Sequence, residues 1–438
     1  MGKLINKQDA IDKIKQDPNC LAGIKISKAL RDSLKDELIK SEEQEATYIK
    51  LYSFGLTQNM AKRVYDLYLD DSVKKIEENP YILIKDLQGF GFYKCDLLAK
   101  NIGFSLHSPL RLKEAMIFTL NEACIQYGFT YVTKYQLVAS TMTLLNKKET
   151  DKIKEEEITV ILNDLLVSNR LVSINERFYP KYLYDAEKNT RERLIQIKNF
   201  KLDLPSKDDA LKWIAICEEK LGFNLLSLQR DAVLKSVTSK VSIITGGPGT
   251  GKTTIIKGLL RMYQYVNNLT DLQMSTHVAV LAPTGRASKR MSETTNFGSS
   301  TIHRYLKWNK ESNEFGVNEF NKEVHKFIII DETSMIDNFL MSSLLKGITP
   351  KTKICFVGDE YQLPSVNSGN VLRDLIKSGM FPHIRLTEIY RQSDNSFIPI
   401  LANEVKNMEL DYDVQEKKDD YNFLPCDKEN IKDMIGMI

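Results

Sequence analysis

The 438-residue sequence predicts an α/β fold: a mainly parallel sheet carrying a phosphate-binding loop, preceded by helical units. Three observations carry this. From about Leu225, short β-branched runs alternate with apolar-periodic helical runs, the pattern of strand–helix–strand crossovers. One strand-to-helix junction reads Gly246-Gly-Pro-Gly-Thr-Gly-Lys-Thr-Thr254. Upstream, glycine turns recur between short helical runs.

Residues 1–105 contain an internal repeat. Asp9-Ala-Ile-Asp-Lys-Ile-Lys-Gln-Asp-Pro18 aligns with Asp71-Ser-Val-Lys-Lys-Ile-Glu-Glu-Asn-Pro80. Glycine turns follow at Gly23 and at Gly89-Phe90-Gly91, with another at Gly55 between them. Six residues after each first glycine stands a small residue: Ala29, Ala61 and Cys95. A glycine turn between helices that touch at a small residue describes helix-hairpin-helix repeats. Such a turn offers backbone N–H groups to a phosphate, so Gly89 and Gly91 are candidate DNA contacts, flanked by Lys62, Arg63 and Lys94. A helical packing module that touches no DNA is the competing reading.

Residues 106–185 read as helices followed by a hairpin turning near Asn175-Glu176, a winged-helix-like unit. Residues 186–224 read as a helical linker. Residues 225–380 form the α/β domain, with strands expected at Val241–Thr245, His277–Ala282, Lys326–Ile330 and Lys353–Val357. A protruding hairpin insertion is expected near 305–325, around Trp308 and Phe315.

Composition narrows little. With 61 basic and 58 acidic residues the net charge is +3, so any nucleic-acid contact is a local patch. Six scattered cysteines without a C-x-x-C pair read as reduced thiols, and a cytoplasmic location is expected. No apolar run approaches the ~18 residues of a membrane span. The start Met1-Gly2-Lys3 lacks an apolar signal core, so neither a membrane partner nor secretion is expected.

The chemistry gathers after the strands. Glycines let the 246–254 loop curl its N–H groups inward around phosphate oxygens. Gly247, Pro248, Gly249, Thr250, Gly251, Lys252, Thr253 and Thr254 are therefore expected to hold the phosphates of ATP. Lys252 would reach the β- and γ-phosphates, facing solvent without ligand, and Thr253 would ligate Mg²⁺. Phe327-Ile-Ile-Ile runs into Asp331-Glu332. Asp331 would hold the Mg²⁺ shell, and Glu332 would orient or deprotonate the attacking water. Gln362 could donate to a γ-phosphate oxygen, and Gln229 could read the adenine edge. Pro283-Thr284-Gly285-Arg286 and Thr301-Ile302-His303-Arg304 suit a nucleic-acid phosphate track, although His303 reads equally well as a structural histidine. Arg391, after a strand near Leu386, is a candidate arginine finger.

Together LSLQRDA, GGPGTGKTT, APTGRA, TIHR, IIIDETSMID, VGDEYQLPSVNSGNVL and LTEIYRQ resemble motifs Q, I, Ia, Ic, II, III and IV of superfamily 1 DNA helicases. The resemblance is to the RecD-like branch. It also takes in GFGFYKCDLLAKNIGF and the helices after it. It implies a RecA-like phosphate-loop domain and ATP-driven 5′→3′ movement on single-stranded DNA. The DNA backbone contacts would be Thr284, Arg286 and His303, with a strand-separating pin near Trp308. Partners would be single-stranded and junction DNA. The family's motifs V and VI have no counterpart here. Residues 381–438 are thus expected to open an incomplete second RecA-like lobe, whose missing portion would be a further partner. The alternative function is a DNA-binding module with ATP affinity but no complete motor cycle. A guanine-type string, Asn6-Lys-Gln-Asp9, lies upstream of the phosphate loop and inside the repeat, which argues against a GTPase.

Overall fold

A computed structural model of the chain describes residues 28–147, 149–221, 225–387, 397–410, 412–427 and 430–431. The first sequence repeat, Gly23 and Arg391 lie outside them. The described residues form two compact units: one through Glu122 together with Val132–Phe178, the other Ala123–Tyr131 with Tyr179 onward.

In the first unit, helix Lys28–Ser53 meets helix Gln58–Tyr68 across Gly55, whose φ of +93° is left-handed backbone that glycine adopts freely. Helix Leu83–Asp86 meets helix Phe92–Ile102 across Gly89 (φ +88°), with Gly91 as the N-cap. Ala61 and Cys95 are fully buried, as helices that approach closely require. Asn101 Nδ2 donates to the Phe54 carbonyl at 2.9 Å and so ties the second hairpin to the first turn. Buried Asp96 accepts from Tyr81 Oη at 2.8 Å and from Arg111 Nε at 2.7 Å. Further on, helices Lys134–Asn146 and Glu155–Val167 precede a small sheet. Its strands are β1 (Val132–Thr133), β2 (Leu171–Ile174) and β3 (Arg177–Pro180), in the order β1-β3-β2. Asn175 and Glu176, with φ of +49° and +61°, make the two-residue turn that matches strand twist.

The second unit is built on six strands: β4 (Val241–Gly246), β5 (Val278–Ala282), β6 (Ser299–Thr301) and, after the short hairpin of β7 (Trp308–Asn309) and β8 (Glu314–Phe315), β9 (Phe327–Ile330), β10 (Lys353–Gly358) and β11 (His383–Leu386). The order is β11-β4-β10-β9-β5-β6, and every pair is parallel. Alternation along each strand feeds two cores. Ile243, Leu281, Ile328, Ile330 and Phe356 face one. Ile244, Val280, Ile329, Val357 and Ile384 face the other. Apolar runs buried on both faces are what a helix-covered parallel sheet demands.

Two expectations change here. Within the expected helical linker 186–224, residues 186–221 pack into the α/β cores. Helix Lys181–Asn199 sends Leu194 and Ile197 into one core, and helix Lys207–Leu221 sends Ala210, Ile214 and Cys217 into the other. Arg193 fixes the first of them, donating through Nε to the Leu345 carbonyl at 3.0 Å. Residue 381 does not open a new lobe. Phe381 belongs to the same core, and β11 pairs with β4, Ile384 opposite Ile244.

Candidate active site

Strand β4 is buried along its length, and its last residue, Gly246, is crowded. A Cβ there would lie 2.5 Å from Thr250 Oγ1 and 2.9 Å from Leu386 Cβ. The loop then turns through Gly249 and Gly251, at φ +76° and +82°. Thr250 Oγ1 donates to the Gly247 carbonyl at 2.9 Å, closing the loop on itself. Pro248 is exposed at its tip. Helix Lys252–Val266 begins at once, so its unpaired N–H groups and positive dipole end face the loop. Thr253 and Thr254 sit in its first turn, half-buried and exposed respectively.

Two residues differ from expectation. Lys252 does not face solvent: its Nζ donates to the carbonyls of Gly246 at 2.6 Å and Gly247 at 3.0 Å. A cation beside a curled backbone takes the nearest acceptors, and those belong to the loop. Gln229 is buried, and both ends of its amide are engaged. Oε1 accepts from Leu226 N at 3.2 Å, and Nε2 donates to the Thr250 carbonyl at 3.4 Å. A Cβ on Gly251 would collide with that Nε2. Gln229 thus supports the loop from behind.

At the end of β9, Asp331 N donates to the Leu281 carbonyl at 2.8 Å, locking the strand end. Burial first, then the neighbouring Glu332 charge, push the Asp331 carboxyl up to about 6, against the pull of Lys252 and Arg290. Glu332 stands in left-handed backbone (φ +50°, ψ +42°), strained for a side-chain-bearing residue. Its Oε2 is buried with no hydrogen-bond partner among the described residues. A buried carboxylate oxygen without a partner is costly, and it is a feature of sites built for something else to complete. Gln362, after β10, is exposed and accepts from Ser334 Oγ at 3.4 Å, joining the loops after β9 and β10.

A hollow of about 220 Å³ lies beside Gly246 and Gly247, walled by Asp359, Tyr361 and Arg385. Arg385 Nε pairs with Glu360 Oε1 at 2.7 Å, and its guanidinium lies 5.0 Å from the Tyr361 ring centre. Sequence reading missed Arg385 and Arg290. Arg385 lies on β11, which comes beside the loop only by pairing with β4, and exposed Arg290, on helix Gly285–Thr295, acts on Asp331 only through its charge.

The remaining candidates are distributed. Thr284 caps helix Gly285–Thr295 by accepting from Ala287 N at 3.2 Å, and Arg286 is exposed on that helix's first turn. Exposed His303 packs edge-on to Trp308, 6.2 Å between ring centres, and lies 5.8 Å from Phe315. It therefore belongs to the aromatic cluster of the β7–β8 hairpin. In the first unit, Lys94 Nζ donates to the Gly89 carbonyl at 2.7 Å, and an Arg63 N–H donates to the Gln88 carbonyl at 2.6 Å. Gly91 has open space where a Cβ would stand.

Among the described residues no group of three or more His, Cys, Asp or Glu side chains could hold a metal alone. One carboxylate, Asp331, and one hydroxyl, Thr253, fit the sparse donor set of Mg²⁺, which completes its shell from phosphates and water. The crowded glycine cradle and the orphaned Glu332 oxygen fit a phosphate chain and a water.

Residues 229–368 match a family model described as an AAA domain, and residues 40–131 match one described as the ATP-dependent RecD2 DNA helicase HHH domain. The ATP-dependent RecD2 DNA helicase of Deinococcus radiodurans is 27% identical over 88% of this chain and 52% of its own length. The RecBCD enzyme subunit RecD of Buchnera aphidicola is 30% identical over 60% of this chain and 45% of its own. The chain therefore spans about half the length of these curated relatives. Among solved structures, the Pif1 helicase of Candida albicans overlaps 47% of this chain and 50% of its own, at 21% identity and a TM-score of 0.34. No helix among the described residues is long and apolar enough to cross a membrane.

Proposed function

Because the chain belongs to the RecD-like branch of the superfamily 1 helicases, we propose that it binds and hydrolyses ATP and couples hydrolysis to 5′→3′ movement on single-stranded DNA. The observation that carries the reading is the buried, unpartnered oxygen of Glu332, held on strained backbone at the end of β9. A general base must be free to accept a proton, and this oxygen has no competing donor among the described residues.

In this reading Gly247, Gly249, Thr250, Gly251 and Thr254 cradle the phosphates with backbone and hydroxyl donors, and Pro248, which has no N–H, lines the loop between them. Lys252 exchanges its loop carbonyls for phosphate oxygens. Thr253 and Asp331 hold Mg²⁺, which supplies charge neutralisation at the phosphates. Glu332 takes the proton of the attacking water, and Gln362 donates to the terminal phosphate. Gln229 keeps the loop in shape. Arg391 is assigned to the transition-state charge. Thr284, Arg286 and His303 track the DNA backbone beside the aromatic hairpin. Gly89 and Gly91 offer backbone N–H groups to a second DNA segment, so the partners are single-stranded and junction DNA. The reading places the protein in the cytoplasm.

Hydrolysis measured with and without single-stranded DNA tests the coupling, and duplexes with 5′ or 3′ tails test the direction. DNA-stimulated hydrolysis with displacement from 5′-tailed duplexes is expected. Displacement from 3′-tailed duplexes alone overturns the polarity. ATP binding without DNA-stimulated hydrolysis favours the second reading, a DNA-binding module with ATP affinity.

A further inference from the structure

At the end of the sheet opposite the phosphate loop lies a cavity of about 580 Å³. The size is that of small-molecule sites, which run ~300–1,000 Å³. Its walls are apolar and aromatic: Trp213 from helix Lys207–Leu221, Leu259, Met262 and Tyr263 from the helix that begins at Lys252, and Phe327 at the start of β9. Tyr263 and Phe327 rings lie 5.5 Å apart, one continuous aromatic surface.

Three lysines line the cavity, and one of them, Lys353, the first residue of β10, is partly withdrawn from solvent. Its Nζ lies 5.5 Å from the Phe327 ring centre and donates to the Val237 carbonyl at 2.6 Å. Among the described residues that is its single acceptor, which leaves two ammonium protons. No carboxylate among the described residues forms an ion pair with it; Asp203, which also lines the cavity, is exposed. Burial pushes the Lys353 ammonium down to about 7, the mark of a charge with too little compensation. Lys326 and Lys351 stand exposed on the same lining and keep the approach positive. None of these groups has a part in the chemistry at the phosphate loop.

We propose that this cavity is a binding site for a small amphipathic carboxylate, whose apolar body lies against Trp213, Tyr263 and Phe327 and whose carboxylate pairs with Lys353. A phosphate or a nucleotide fits poorly, because the walls are predominantly apolar and, with Lys326 and Lys351 exposed at the approach, the one half-buried ammonium does not balance several charges inside. A neutral apolar molecule would fill the volume but leave Lys353 as poorly compensated as before.

Trp213 makes the test local. The chain has two tryptophans. Trp308→Phe leaves Trp213 as the only one, and circular dichroism checks that the fold is kept. The probe is ω-bromodecanoate, whose bromine quenches a tryptophan it touches, with ω-bromodecanol as the neutral control. Saturable quenching is expected, with the acid binding about tenfold more tightly than the alcohol, the scale of one hydrogen bond between charged groups. Lys353→Met in the same background should abolish that preference and leave alcohol binding unchanged. Lys326→Met with Lys351→Met should keep most of it. No saturable quenching, equal affinity for acid and alcohol, or a preference that survives Lys353→Met and falls with the two exposed lysines overturns the proposal.

Discussion

The loop after β4 and the turn at Gly89–Gly91 both bring the chain through glycine into the start of a helix, yet they need glycine for different reasons. At Gly246 the need is space, because a methyl group would meet Thr250, Leu386 and a backbone carbonyl. At Gly89 the need is conformation: φ is +88°, and the nearest atom to an added Cβ is 3.9 Å away on Arg63. The charges differ in the same sense. Around the hairpins they are matched, Asp96 with Arg111 and Tyr81, and Lys94 with a carbonyl. Around the phosphate loop they are left incomplete, Glu332 with an orphaned oxygen and Asp331 with its carboxyl driven upward. In one region the side-chain charges are answered by their own neighbours, and in the other they are left open.

The largest effect should come from the least satisfied group. Glu332→Gln keeps the shape and should retain ATP binding while slowing single-turnover hydrolysis by about 10²–10⁴-fold. An unchanged rate removes Glu332 from the role of base. Lys252→Ala should weaken nucleotide binding about ten- to hundredfold, the worth of one or two charge-assisted hydrogen bonds, as titration calorimetry would report. Gly246→Ala should lower stability by about 1–3 kcal/mol through overpacking, whereas Gly91→Ala, with open space at its Cβ, should stay within about 0.5 kcal/mol in urea melts. Equal costs at the two positions would remove space as the reason for glycine at position 246. Gly89→Ala should fall between them, at about 1 kcal/mol for left-handed backbone.

The smallest effect tests whether the first unit's charges are indeed matched. His107 Nδ1 lies 2.7 Å from Glu157 Oε2, and Nε2 lies 2.9 Å from Asp151 Oδ2. Glu157 first, then Asp151, raise its pKa. The folded state therefore holds the proton more tightly than the unfolded chain. The stabilisation is full below the ordinary histidine range, near ~6.5, and is lost as pH rises through the raised value. His107→Gln should flatten that fall in melting temperature. A wild-type melting temperature that does not fall on the alkaline side would show the pair to be without consequence.

Much of the α/β sheet was legible because its central strands are uninterrupted apolar runs that end in loops of distinctive chemistry. Val241–Gly246 and Phe327–Ile330 needed no tertiary information. Ser299–Thr301 did, since a three-residue polar strand is recognisable only by its neighbour β5. His383–Leu386 reads from sequence as part of another lobe, because nothing local says which sheet a short strand joins. Helix Lys181–Asn199 looked like linker because charges cover most of its surface, while Leu194 and Ile197 make its buried contact. At the site, residue identities were legible and their states were not. A Glu gives no sign that it stands in left-handed backbone. A Gln gives no sign that its amide is spent on a loop carbonyl. Both depend on what sheet order brings alongside.

The contacts of Lys252 carry a kinetic consequence. Its ammonium is already bonded to the carbonyls of Gly246 and Gly247, so an arriving phosphate meets a cation in use. Capture must then proceed as an encounter followed by a first-order exchange of acceptors within the complex. In rapid mixing, the observed rate should climb with nucleotide concentration and then level off at the speed of that exchange. Removing the side chain with Lys252→Ala should make the same plot a straight line, even though the nucleotide then leaves sooner.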